Sequence, residues 1–391
     1  MYKYILSAIF LFIHSISFSQ IIAFDNYTIK SGLPSNVIMD ILQDSKGYMW
    51  FATQNGISRF DGYTFKNFSI EDGLPSIYIY CLFEDSKGHI WVGTEDGGVA
   101  RYNGREFIIY NAENGLVGNN EINEIFEDYM GNIWVRTRAE GISKINNNVI
   151  TNFTQERGLP SNEVLSGFVD SKGRVWFGTL EGIIIFDGKE KSTITTNEGL
   201  SNNIIWDIIE DKSNNYWIAT QGGGVVRYNG KEFKNYTTED GLNSNIILTL
   251  MEDADGNIWA GTYGKGLCKF NGKSFDAFTY KNLSSKTVIK LYEDRKKRIW
   301  ILTRPDGIYQ FHKNQFSYYT TENNLLDNIV WSINEDTEGN IWLGTFGGIS
   351  KISKKPFEIY TTDFGIPDKD IGAVHADKSG NIWAGGYNGL F

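Results

Sequence analysis

The sequence predicts an all-β protein, a β-propeller of four-stranded antiparallel blades. Three observations carry this. Trp50, Trp91, Trp134, Trp176, Trp217, Trp259, Trp300, Trp342 and Trp383 close the same short phrase, at spacings of 41, 43, 42, 41, 42, 41, 42 and 41 residues. Each interval holds four short runs of β-branched and aromatic residues separated by Gly-containing turns. The chain has 42 Gly and 6 Pro in 391 residues, which suits tight turns rather than disorder. A fixed period in the forties marks a repeat architecture, and four strands in each period match a propeller blade. About nine such repeats fill the chain.

The strands follow in order from one unit. Around Trp259, "NIILTLMED" is a first strand and "ADGN" a turn. "NIWAGT" is a second strand and "YGKG" a second turn. "LCKFNG" is a third strand ending in Asn-Gly, and "KSFDAFTY" is a fourth. Asp61-Gly62, Asn103-Gly104, Asp187-Gly188 and Asn229-Gly230 stand at the same place. Such pairs between alternating runs predict hairpins with positive φ at both central residues. No helix pattern is evident. A blade has two apolar faces and cannot bury them alone, so it must stack on neighbours. The repeated Trp is read as a wedge between blades. The Thr three residues on, from Thr53 to Thr345, belongs to the same packed lattice. Cys81 and Cys268 lie in strand-like runs and read as small core residues.

Composition bounds the partners. The net charge of −10 argues against nonspecific nucleic-acid binding, which requires a basic surface. Residues 1–19 have a Lys near the start, an apolar run and small residues before Gln20, which reads as a secretory signal peptide. The apolar run is shorter than the ~20 residues of a membrane span.

Kelch and WD40 signatures do not recur in register, and the Asp–Gly spacing differs from that of sialidase Asp boxes. "GLPSNVIMDILQDSKGYMWFATQNGISRFDG" (32–62) and "GLNSNIILTLMEDADGNIWAGTYGKGLCKFNG" (241–272) resemble the two-component regulator propeller repeat. The resemblance runs over about residues 24–391. It implies the exported sensor portion of a histidine kinase or hybrid two-component system, periplasmic in location, with its parent anchored in the inner membrane. It implies a small-molecule or oligosaccharide ligand, downstream kinase domains, a homodimer as one mode of assembly, and no cofactor. In such proteins seven-bladed propellers are common. Residues 20–320 are therefore expected to form a first propeller of about seven blades, and 321–391 two further blades, the last incomplete. A single ring of all nine units is the alternative. The N-terminal "FDNYTIKSGLPSN" resembles the fourth strands of later units and offers a strand to close a ring.

Ligand contacts are sought where the lattice varies. Four residues after each Trp come Gln54, Glu95, Arg138, Leu180, Gln221, Tyr263, Arg304, Phe346 and Tyr387. Gln, Glu, Arg and Tyr can bond sugar hydroxyls or carboxylates, and aromatic faces stack on sugar rings. Five residues before the recurring Asp, Met39, Tyr80, Asn123, Leu165, Trp206, Leu248, Ile289 and Trp331 vary as widely. The candidate ligand residues are Gln54, Glu95, Arg138, Gln221, Tyr263, Arg304, Tyr80 and Trp206, with Arg138 and Arg304 suited to an acidic ligand. Catalysis finds little support. Four His are present without metal-ligand spacing, and no nucleophile elbow, phosphate loop or kinase signature appears. The repeated Glu-Asp before the turn reads as turn chemistry. A propeller lyase or glycan hydrolase, and an adhesion scaffold, are the competing functions.

Overall fold

The computed structural model describes residues 24–118, 121–188, 190–280, 283–353, 371–376, 382–386 and 389–390. The leader read at residues 1–19 lies outside them. Strand β1 (Phe24–Tyr27) precedes the first complete repeat, β2 (Ile38–Gln43), β3 (Met49–Thr53), β4 (Gly56–Phe60) and β5 (Phe65–Phe68). These four pair in order as an antiparallel sheet, blade one. Blades two to seven repeat it over Ile79–Tyr110, Ile122–Phe153, Val164–Ile194, Ile205–Tyr236, Ile247–Ala277 and Thr287–Tyr319. Blade eight has three strands between Val330 and Ile352, and β1 supplies its fourth. The second strand of each blade lies against the first strand of the next, and the second strand of blade eight lies against β2, so the ring closes.

The closed ring therefore has eight blades, within the compact unit Phe24–Lys354. The expectations were a first propeller of about seven blades over 20–320, or nine units in one ring. The closing device is the one the N-terminal phrase offered. Phe24 pairs with Ile352 and Tyr27 with Ile349. Asn26 accepts from Ser350 Oγ at 2.8 Å and donates to the Asn324 carbonyl at 3.1 Å. Asn67 and Asn152, in the fourth strands of blades one and three, make the same two bonds. A separate three-stranded sheet comprises Ile371–Ala376, Ile382–Gly386 and Gly389–Leu390.

Each blade is locked by one unit of chemistry. The recurring Asp, from Asp44 to Asp336, accepts the indole N–H of the Trp six residues on, at 2.7–2.9 Å in all eight blades. Its other oxygen takes backbone N–H groups of the turn, as Asp253 does from Asp255 and Asn257. The eight Trp bonded to these Asp are buried, whereas Trp383, in the three-stranded sheet, is 44% exposed. The Thr hydroxyl donates to the Gly carbonyl that opens the third strand, at 2.8–2.9 Å in every blade. Cys81 and Cys268 are buried thiols in the interblade cores. Burial pushes the Cys268 thiol up to about 11, far from a reactive thiolate.

Two local expectations differ in detail. At the Asp-Gly and Asn-Gly turns only the Gly takes positive φ, as at Gly62 (99°) and Gly104 (97°). The preceding side chain replaces the second positive φ: Asp61 Oδ1 accepts from the amides of Tyr63 and Thr64. Positive φ at both central residues occurs instead at Asn147-Asn148 and Lys313-Asn314. The segments entering seven of the eight blades are single 3₁₀ turns such as Ile70–Asp72, capped by Ser69 and ended by Gly73 at φ 100°.

Candidate functional site

Every first strand carries the same irregularity. Pairing shifts by one residue between Ile38 and Asp40, and at the equivalent place in the other blades. This is a β-bulge, which leaves one residue out of the ladder and re-aims its side chain. The bulged residues are Met39, Tyr80, Asn123, Leu165, Trp206, Leu248, Ile289 and Trp331. The lattice varies there because a bulged side chain is held only in part by the packing that fixes its neighbours, as Met39 and Trp206 are at the edges of interblade clusters. Ile38 and its equivalents, one residue earlier, are fully buried.

Two clefts are lined by bulged residues together with the residues four after each Trp. The larger, about 910 Å³, spans blades five to eight and is lined by Trp206, Gln221, Ile246, Leu248, Tyr263, Thr287, Ile289, Lys290, Arg304, Pro305 and Trp331. The smaller, about 390 Å³, lies at blades one and two and is lined by Met39, Gln54, Tyr78, Ile79, Tyr80 and Glu95. Of the predicted residues, Trp206, Gln221, Tyr263 and Arg304 thus share one cleft, and Gln54, Tyr80 and Glu95 the other. Arg138 lines neither. Its guanidinium is engaged by both oxygens of Glu121 at 2.8 and 2.9 Å, so it does not converge with Arg304. Ile246, Thr287, Pro305 and Tyr78 were not anticipated. They flank the predicted positions in sequence or across a strand, and no spacing marks them.

In the larger cleft, Trp206 donates its indole N–H to Gln221 Oε1 at 2.5 Å. The Arg304 guanidinium lies 3.4 Å from the centre of the Trp331 ring, and Phe346 packs beside that ring at 5.6 Å. Tyr263 is 59% exposed. Burial lowers the Arg304 pKa from its usual value. Beside Trp206, burial pushes the Asp207 carboxyl up to about 6, against the backbone amides of Leu250 and Ile208 that bond it at 2.8 and 2.9 Å. Burial also raises Asp40, which Lys290 partly offsets. In the smaller cleft, burial and then Glu95 raise the Tyr80 phenol. Among the described residues no three His, Cys, Asp or Glu side chains are grouped to hold a metal ion. No helix among them is long and apolar enough to cross a membrane.

The two-component regulator propeller model matches residues 32–55, 73–96, 199–222, 241–264 and 324–347, each running from the blade entry through the Asp turn and the Trp. These are two-component regulator propeller repeats. No curated protein matches this regulator propeller in sequence. Among solved structures, its fold is similar to the extracellular domain of a putative hybrid two component system from B. thetaiotaomicron, with TM-score 0.56 and 23% identity. That alignment covers 94% of this chain and 45% of the other, so the regulator propeller spans less than half that domain. PorZ of Porphyromonas gingivalis, a surface component of the type-IX secretion system, aligns with TM-score 0.57 and 16% identity over 81% of this chain and 52% of its own. A streptogramin B lyase aligns with TM-score 0.51 and 15% identity over 84% and 96%. At these identities the shared property is the fold.

Proposed function

We propose that this chain is the exported, ligand-sensing part of a two-component regulatory system. It binds an oligosaccharide in the cleft of blades five to eight and relays occupancy to a membrane-spanning kinase segment of its parent protein. One observation carries the reading. In a propeller of regulator repeats, the larger cleft gathers Trp206, Tyr263 and Trp331 with the polar side chains of Gln221, Thr287 and Arg304. Flat aromatic faces beside a few hydrogen-bonding groups suit sugar rings. Binding there bridges four blades, and a ligand that prefers one arrangement of them shifts the population toward it. A periplasmic location and a homodimer as the signalling unit belong to the same proposal.

The test is a thermal-shift screen of the whole chain against a glycan library, followed by calorimetry. At least one oligosaccharide is expected to raise Tm without being consumed. Trp206→Ala should weaken it by about tenfold, since one stacking contact contributes roughly 1–1.5 kcal/mol. Turnover of a sugar or a cyclic peptide with no binding-only ligand would favour a propeller lyase or hydrolase instead.

A further inference from the structure

The lining of the larger cleft has one sign of charge. It carries Lys290 and Arg304 and no carboxylate, in a chain whose net charge is −10. The nearby acids are already engaged. Asp306, next to Pro305, pairs with Lys286 at 2.7 Å. Asp207, next to Trp206, accepts two backbone amides. Asp40 acts on Lys290 across the first strands without an ion pair between them. Among the described residues Arg304 has no acidic partner, and its buried Nε has no hydrogen bond. The buried indole N–H of Trp331, on which Arg304 stacks, also lacks one. Arg138 donates from Nη1 to both oxygens of Glu121, so an Arg at this lattice position binds a carboxylate elsewhere in the same ring. A guanidinium held over an indole keeps its fork of donors pre-organised, and an unpaired, half-buried cation gains from meeting an anion.

We propose that the cleft of blades five to eight selects an anionic saccharide, its acidic group received by Arg304 and supported by Lys290. This rests on the oligosaccharide reading above and names the class of sugar. Carboxylate and sulfate groups share the required chemistry, and the probes separate them.

The experiment is calorimetry of the full chain with three sets of oligosaccharides. They are oligogalacturonides and hyaluronan fragments (carboxylate), sulfated chondroitin fragments (carboxylate plus sulfate), and neutral cello-, xylo- and arabino-oligosaccharides. At least one acidic set is expected to bind. Its Kd should rise about tenfold or more in Arg304→Gln, and less in Lys290→Gln. Arg304→Lys should recover part of the loss, which a merely structural role would not produce. Lys290 is exposed, so its variant keeps the test valid if Arg304→Gln unfolds. Binding confined to the sulfated set assigns the acidic group as sulfate, and binding of the uronides alone as carboxylate. Tight binding of a neutral sugar, unchanged in both Gln variants, overturns the anionic assignment and leaves the oligosaccharide reading standing. Binding of no sugar in any set overturns both.

Discussion

At the residue scale, one carboxylate per blade organises both the turn and the wedge. Asp253 accepts from the Trp259 indole at 2.9 Å, the Asn257 backbone at 2.8 Å and the Asn257 amide at 2.8 and 2.9 Å. Burial pushes its pKa up, but these bonds outweigh burial and hold the carboxyl below its usual value. The sign follows. Stability from a depressed carboxyl is present above the unfolded value of ~3.9 and is lost as pH falls through the folded value. Asp253→Ala should cost about 2–4 kcal/mol at pH 7, because it orphans a buried indole N–H and turn amides. Urea unfolding should show the gap between wild type and variant closing as pH falls below about 4. A gap independent of pH from 7 to 3 would assign the cost to lost packing alone. The Asp–Trp pair was half legible. The period revealed the wedge, and short Asp-to-Gly spacing revealed the turn, but their shared oxygen needed coordinates. So did a third partner. A cation lies over each of the eight Trp bonded to a recurring Asp, from the third strand in six blades, such as Arg101 over Trp91 at 5.6 Å and Lys269 over Trp259 at 5.2 Å. Where that position holds Ile185 or Gln310, Arg174 or Arg298 reaches the Trp from two residues before it, at 5.2 Å. No single column of the repeat records that substitution of one source for another.

At the scale of elements, blades are joined by a bond the repeat spelled out without explaining. In six blades the Glu ending the first strand accepts the backbone N–H of the preceding blade's turn, as Glu84 does from Ser45 at 2.7 Å and Glu293 from Ala254 at 2.6 Å. Gln43 takes the same role for Thr337 at 2.7 Å, across the closing junction. The Glu of each Glu-Asp pair is therefore an interblade staple, beyond the turn chemistry expected of it. Blade four carries Val169 at this place and packs it against the apolar cluster of Trp134 and Phe177. The closing strand is the element most exposed to test. Tyr27 stacks on Trp342 at 5.8 Å, as Phe68 stacks on Trp50 at 5.8 Å within blade one. Asn26→Ala should cost about 1–2 kcal/mol, since Ser350 and the Asn324 carbonyl lose their partner. Deleting Phe24–Tyr27 should cost several times more and provoke self-association, because Ile349–Ile352 becomes an open, apolar edge. Urea midpoints and gel filtration read both. A deletion that stays monomeric with an unchanged midpoint would refute closure by this strand.

At the scale of the whole molecule, blade number was the one feature the sequence left open, for a physical reason. Identical modules stack equally well in rings of different size, and the eighth unit has two candidate fourth strands, "FDNYT" before the ring and "FEIYT" after Ile352. Each satisfies the same alternation, so local pattern cannot choose. The ring of eight uses the N-terminal one. The lining of the clefts was more legible than the ring size. Seven of the eight residues predicted from lattice variation line a cleft, because positions released from packing are the ones a bulge or a loop can turn toward a ligand. Arg138 was misplaced because its partner, Glu121, sits outside the repeat's fixed columns. The closed ring carries a last consequence. Every blade in Phe24–Lys354 has a neighbour on both sides, so no blade can fray without breaking two interfaces. Residues 24–354 produced alone should then unfold in one cooperative calorimetric transition, within about 3 °C of the main transition of the full chain. Two resolved transitions, or a Tm well below that of the full chain, would mean that residues 355–391 contribute to the ring's stability and that eight blades are not a self-sufficient unit.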